Sequence, residues 1–160
     1  MAVNKEISVK PSLARNGWTL LATPAFEQQL LAIRERSKAV RKADPFGWQH
    51  HPAVKLQVSV IHTIMDLIPG NPNAAEWRQG NTLGKDNRHW FRAKFNDRYR
   101  LFFRFSSTDR IIIYAWVNDE GTLRKSGSKS DPYAVFEAML ASGDPPSSWE
   151  HLLKASKELK

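Results

Sequence analysis

The chain reads as an α+β domain, an antiparallel sheet with two N-terminal helices packed on it and further helices at the C-terminal end. Three patterns carry that expectation. Residues 90–105 (WFRAKFNDRYRLFFRF) alternate apolar and polar side chains with the period of two that a half-buried strand requires, broken once at Asn96-Asp97. Residues 110–117 (RIIIYAWV) form a nearly continuous apolar, β-rich run, which suits a strand covered on both faces in the middle of a sheet. Upstream, residues 24–42 and 52–68 place apolar side chains three to four apart, the period of an amphipathic helix.

In chain order, residues 1–16 are a polar tail without the apolar segment of a secretory leader, and residues 17–160 make one domain. Trp18-Thr19-Leu20-Leu21 is a short strand. Thr23-Pro24 starts the first helix, with threonine as N-cap and proline at the first helical position. Phe26, Leu30, Ile33, Ser37 and Val40 form its stripe. Pro52 opens the second helix. Val54, Val58, Ile61, Met65 and Ile68 make one stripe there, and Leu56, Val60, Ile64 and Leu67 widen it, which predicts burial on two sides. Pro69-Gly70 ends that helix. A long connection over 69–88 follows, anchored by Trp77 and Leu83, with room for a turn of helix. After the hairpin and the strand at 110–117, Asn118-Asp119-Glu120-Gly121 closes the meander. Asp131-Pro132 caps a third helix with Tyr133, Phe136, Met139 and Leu140 on its apolar side, ended by Gly143. Ser147-Ser148-Trp149-Glu150 fits a capping box for a last helix.

Composition narrows the function classes. A formal charge of +8 favours a polyanionic partner. The absence of cysteine excludes disulfides and thiol catalysis and fits a reducing cytoplasm. No apolar run reaches the ~18 residues that a membrane-spanning helix needs, so no membrane role is expected. The five histidines lack metal-ligand spacing, no metal site is read, and no Walker loop, GxGxxG or GxSxG motif implies a cofactor.

The hairpin carries the chemistry. Phe91, Ala93 and Phe95 point to one face and Arg92 and Lys94 to the other. Beyond the turn, Tyr99, Leu101, Phe103 and Phe105 oppose Arg98, Arg100, Phe102 and Arg104. Cross-strand cations about 5 Å apart repel one another, so a fold that aligns them calls for a counter-anion, and guanidinium groups grip phosphate oxygens bidentately. Acids elsewhere in the fold (Asp97, Asp119, Glu120) could instead pair with them. Trp90, Phe102, Trp116 and Tyr133 are interleaved with the cations. They could stack on unpaired bases or belong to the core, and Phe102 stands out because it shares a face with Arg100 and Arg104. His89, just before the hairpin, is a candidate acid or base.

Several stretches also carry a resemblance. The order strand, two helices, three-stranded meander, with a Tyr-Arg-Leu-Phe-Phe step at residues 99–103, resembles the RelE superfamily of bacterial toxin ribonucleases. Within it, Asn16-Gly17-Trp18, residues 98–104 (RYRLFFR), residues 116–120 (WVNDE), Leu123-Arg124, Asp131 with Tyr133 and Val135-Phe136, and Pro145-Pro146 with Trp149-Glu150 are similar to the YhaV-type toxins of PrlF–YhaV type II toxin–antitoxin systems. The resemblance implies a RelE-like fold and a bacterial cytoplasmic endoribonuclease that cleaves mRNA, at the ribosome, without metal, by attack of a ribose 2′-hydroxyl on the adjacent phosphate. It also implies a PrlF-like, AbrB-type antitoxin, with operator DNA touched only through the antitoxin complex. Arg100 matches the superfamily's phosphate-contacting arginine, and Arg92, Lys94 and Arg124 match its other basic positions. Glu120, Tyr133 and His89, in that order, are candidates for proton transfer, with Asp119 beside them. Arg98, Arg104, Phe102 and His89 are expected to hold the RNA strand. The alternative is a non-catalytic nucleic-acid-binding module using the same basic face.

Overall fold

A strand that is apolar on both faces has to lie between neighbours and beneath cover on each side, and residues 111–117 do. The computed structural model describes residues 13–159. It shows a six-stranded sheet of β1 (Ala14–Arg15), β2 (Trp18–Ala22), β3 (Phe91–Phe95), β4 (Tyr99–Ser106), β5 (Ile111–Val117) and β6 (Lys157–Glu158). The order is β1-β2-β5-β4-β3, and β6 shares the outer edge of β2 with β1. The helices are α1 (Pro24–Ala43), α2 (Pro52–His62), α3 (Pro132–Ser142) and α4 (Trp149–Ala155).

The fold class agrees with the sequence reading, but the sheet is mixed and not antiparallel. β2 runs parallel to β5, pairing Leu20 with Ile112 and Leu21 with Ile113. Nothing local in Trp18–Ala22 records that direction, because its partner lies some ninety positions downstream. β6 was also unforeseen, being only two exposed residues long. Most of the tail expected over 1–16 lies outside the described residues, although Ala14–Arg15 within it pair with Trp18 and Thr19.

Each face of the sheet carries a core. On one, Leu20, Phe103, Ile112 and Tyr114 meet Phe26 and Leu30 of α1 and Leu56, Val60, Ile64 and Ile68 of the second helical segment. On the other, Phe102, Ile113 and Trp116 meet Phe136 and Leu140 of α3 and Leu152 of α4. A bulge keeps the two sets apart. Phe102 opposes Trp116 but Phe103 opposes Tyr114, so Ala115 is the extra residue on β5.

Helix starts follow the capping logic. Thr23 accepts the Phe26 amide proton at 3.1 Å, and Asp131 accepts that of Tyr133 at 3.1 Å. The cap of α4 is Ser148, one residue later than the expected box, and it accepts the His151 amide proton. In the second helix, Leu56, Val60, Ile64 and Ile68 are buried at intervals of four, while Val58 and Leu67 are exposed. The helix packs against both α1 and the sheet, as its wide stripe predicts, and only Val58 and Leu67 of that stripe are left outside the contact. The helix also passes through a π-turn at Thr63–Leu67, where the Tyr114 hydroxyl donates to the Ile64 carbonyl at 2.6 Å.

The connection over 69–88 contains two short 3₁₀ turns (Ala75–Trp77 and Lys85–Asn87), with Trp77 and Leu83 buried as anchors. Among the described residues, no helix is long and apolar enough to cross a membrane.

Candidate active site

The hairpin register places Lys94 opposite Arg100 and Arg92 opposite Phe102, as the alternation requires. Asn96 and Asp97 take φ of 44° and 66° at its tip, and their short polar side chains tolerate that left-handed region. What the alternation does not reveal is that α3 and α4 cover the middle of this face. Phe102 is fully enclosed, stacked on Phe136 with ring centroids 4.3 Å apart. The expectation that Phe102 meets a base is therefore corrected: it has no surface to offer. Trp90, Trp116 and Tyr133 are likewise buried, so the core reading of these aromatics holds.

The helices divide the cations into two groups. Near the hairpin tip stand Lys94, Arg98 and Arg100, joined by Arg124 from the loop after β5. Arg100 is buried to 7% exposure. Its Nε donates to the Tyr133 hydroxyl at 3.2 Å, and its Nη1 donates to the carbonyls of Asp97 and Tyr99, each at 2.9 Å. Nη2 has no acceptor among the described residues and is not among their buried, unpartnered atoms. Arg124 lies over the Tyr133 ring at 4.9 Å and pairs with Asp131 at 2.6 Å. Tyr133 is thus enclosed by two guanidinium groups, one at its oxygen and one at its ring.

Lys94 is exposed, and its ammonium is held below the usual lysine range, first by the Arg92 charge, then by burial, and then by Arg100 and Arg124. Arg92 belongs to this cluster electrostatically but faces inward. Its Nη1 and Nη2 donate to the carbonyls of Glu76 and Arg78, which pins the 69–88 connection against β3, and its Nε has no partner. Arg98 donates to the Arg124 carbonyl at 3.0 Å while the Arg124 amide donates back to the Arg98 carbonyl at 2.9 Å, so Arg98 ties the two loops together.

The second group lies at the far end of β4. Arg104 sits over the rings of Trp90 and Trp149, each at 5.6 Å, and donates to the Ser147 carbonyl. His89 is beside it. Partial burial and then the Arg104 charge hold that imidazole below its ordinary range, against a hydrogen bond with the Ser147 backbone that raises it. The structure brings His89 and Arg104 together, but not to the Arg100–Tyr133 pair.

Glu120, the first choice for proton transfer, points elsewhere. It pairs with Arg36 of α1 at 3.0 Å and lines a groove with Ile33 and Tyr99, residues that pack with the α1 and α2 side. Asp119 caps the short turn at Glu120–Thr122 through the Gly121 amide at 2.9 Å and the Thr122 hydroxyl at 2.9 Å. Both acids therefore fasten the end of β5, and among the described residues neither pairs with a cation of the hairpin.

Among the described residues, none of Arg92, Lys94, Arg98, Arg100 and Arg104 has a carboxylate partner. Lys94 and Arg100 face each other across the strands, an arrangement that costs stability unless an anion arrives. The described residues also contain no group of three or more His, Asp or Glu that could hold a metal.

Two residues that hold the site were not singled out by the sequence reading. Asn118 is buried, accepts the Arg100 amide proton at 2.7 Å and donates to the carbonyls of Arg98 and Thr122. An asparagine ending a wholly apolar strand was the available signal. Asp131 was read as a helix cap, and it also accepts from the Lys125 amide at 2.7 Å and from Arg124, so one carboxylate sets α3, the loop and the arginine.

The family described as "Toxin with endonuclease activity, of toxin-antitoxin system" matches residues 20–157. Toxin YhaV of Escherichia coli O6:H1 is 42% identical over 145 residues, covering 89% of this chain and 94% of the relative. Ribonuclease toxin YhaV of Escherichia coli K12 is 41% identical over the same shares of each chain. No solved structure matches. The buried, carboxylate-free arginine at the tip of the hairpin thus lies in a chain that belongs to the YhaV family of toxins, which have endonuclease activity and are part of toxin–antitoxin systems.

Proposed function

We propose that this chain is a RelE-like, metal-independent endoribonuclease that cleaves mRNA at the ribosome in the bacterial cytoplasm, and that a PrlF-like, AbrB-type antitoxin neutralises it. Operator DNA is met only through the complex with that antitoxin. One observation carries the proposal: Arg100 and Arg124 hold Tyr133 between two guanidinium groups, Lys94 faces Arg100 across the strands, and of these three cations only Arg124 is paired with a carboxylate. Such a cluster suits a phosphate gaining charge. Its cations occupy the place that a divalent ion would fill in a carboxylate-lined nuclease site.

The roles follow from position. Lys94, exposed and with its protonated form disfavoured by its neighbours, takes the proton from the ribose 2′-hydroxyl. The 2′-oxygen bonds to phosphorus, and Arg100 Nη2 with Arg124 stabilises the added charge of the pentavalent transition state. As the bond from phosphorus to the 5′-oxygen breaks, Tyr133 gives its proton to that oxygen. Its hydroxyl oxygen accepts from Arg100, which leaves the hydroxyl proton free to be donated. The products are a 2′,3′-cyclic phosphate and a 5′-hydroxyl. Arg92 and Arg98 position the cluster. Arg104 and His89, at the other end of the face, hold a more distant part of the strand.

The test is product chemistry. Purified protein, incubated with RNA and a chelator, with and without ribosomes, is expected to generate 5′-hydroxyl and 2′,3′-cyclic phosphate ends. Salt-sensitive binding with no new ends would overturn the proposal in favour of a non-catalytic nucleic-acid-binding module.

A further inference from the structure

Beside the Arg100–Tyr133 pair lies an open cleft of about 410 Å³, with a carboxylate that none of these roles uses. One wall is the loop after β5, with Arg124 and Lys129. The floor is the first turns of α3, with Tyr133, Ala134 and Glu137, and Thr82 closes the other side. Glu137 follows Tyr133 by one helical turn, so both side chains share a face of α3.

The Glu137 carboxylate is directed toward Gly84, where a Cβ would fall 3.1 Å from Oε2. Gly84 has a φ of +86°, so glycine there provides both the backbone conformation and the space for the carboxylate. No hydrogen bond or ion pair occupies Glu137 among the described residues. Asp131, the other acid of the cleft, is fully engaged by Arg124, Lys125 and Tyr133.

The cleft is therefore dipolar, with cations on one wall and a free carboxylate on the floor. A ligand complementary to it carries an anion at one end and N–H donors at the other. A nucleotide meets that description, and the bases differ in how well they meet it. Guanine presents two adjacent donors, N1–H and the N2 amino group, to the two oxygens of a carboxylate. Adenine and cytosine offer one amino group beside a ring-nitrogen acceptor that a carboxylate repels, and uracil offers one N–H between two carbonyls. Single-stranded RNA exposes these base edges for such reading.

We propose that this cleft is a base-selecting subsite next to the scissile phosphate, in which Glu137 selects guanine. The proposal rests on the ribonuclease reading for its substrate class, and it adds a determinant of sequence preference. Glu137 is a specificity residue here, distinct from the groups that move protons.

The test uses the intact protein and uncleavable 2′-O-methyl oligouridines carrying one central G, inosine, A, C or U, with affinity read by fluorescence anisotropy. Wild type is expected to bind the G oligonucleotide about tenfold more tightly than the all-U one, the scale of a good bidentate base contact. Inosine, which lacks the N2 amino group, should lose most of that gain. Glu137→Gln should bind the G and U oligonucleotides within about twofold of each other. Equal binding of G and U by wild type, or a G preference that survives in Glu137→Gln, would overturn the proposal. The inosine arm needs no variant, so it stands whatever the folding of Glu137→Gln. Cutting is scored separately on all-ribose RNA. Base-selective binding without cutting would remove the ribonuclease reading and leave the subsite, while cutting without base selectivity would do the reverse.

Discussion

Replacing Arg100 with alanine separates what this side chain does for the fold from what it does for the reaction. The guanidinium donates to the Tyr133 hydroxyl and to the carbonyls of Asp97 and Tyr99. Hydrogen bonds from a charged donor contribute about 1.5–3 kcal/mol each when buried. Two opposing effects reduce the loss. The hairpin tip is open enough for water to reach Asp97, and removing Arg100 relieves its repulsion with Lys94 across the strand pair. We expect a net destabilisation of about 2–4 kcal/mol, small enough for a domain of this size to stay folded.

The reaction should suffer more in relative terms. Loss of one preorganised donor to a developing oxyanion costs about 10²–10³-fold in rate. Arg100→Lys keeps the charge but not the fork that reaches Tyr133 and both carbonyls, so it should recover stability better than rate. The assays are urea unfolding and single-turnover cleavage of an end-labelled RNA, read for each variant. A folded Arg100→Ala that cleaves at the wild-type rate would refute the reasoning and take Arg100 out of the mechanism.

Four further outcomes are expected. Tyr133→Phe keeps the ring against Phe102 (centroids 5.7 Å apart) and so most of the stability, but should slow cleavage by about 10²-fold or more; a substrate with a 5′-thio leaving group, which needs no proton, should restore most of the rate. Lys94→Ala should abolish the rise of cleavage rate with pH, and Arg92→Gln should move that rise to higher pH, because Arg92 is the first cause of the depressed Lys94 pKa; an unaltered profile in both would exclude Lys94 as the base. The same shift fixes a sign for stability. The unfolded chain holds the Lys94 proton more tightly than the native one, so between the lowered native pKa and the ordinary lysine value of 10.5 this group makes unfolding less favourable as pH rises, measurable as a wild-type minus Lys94→Ala difference in urea midpoint. Phe102→Ala should cost about 3–5 kcal/mol in urea unfolding through the cavity left against Phe136, whereas a base-stacking residue would lose RNA affinity at unchanged stability.

How much of this was legible beforehand depended on whether a signal was local. Thr23-Pro24 and Asp131-Pro132 mark helix starts because the cap bonds close within three residues. The period-two alternation of the hairpin settled which residues share a face, since the pleat leaves no other choice, and the observed pairing of Lys94 with Arg100 follows it. Arg124 was drawn into the cluster by resemblance, not by spacing. What brings it there is the exchange of hydrogen bonds with Arg98 and the Asp131 carboxylate, neither of which has a sequence period.

By itself, then, the sequence determined the class of the fold, the strand faces, the helix ends and the excess of positive charge, all consequences of backbone geometry and side-chain chemistry over a few residues. Only the tertiary structure decided that β2 runs parallel to β5, that α3 and α4 close over Phe102 and split the cations into two groups, and that Glu120 turns to Arg36 while Glu137, beside Tyr133, has no partner among the described residues. Those outcomes depend on which distant surfaces bury one another. That is a competition among packing arrangements, and no single stretch of chain encodes it.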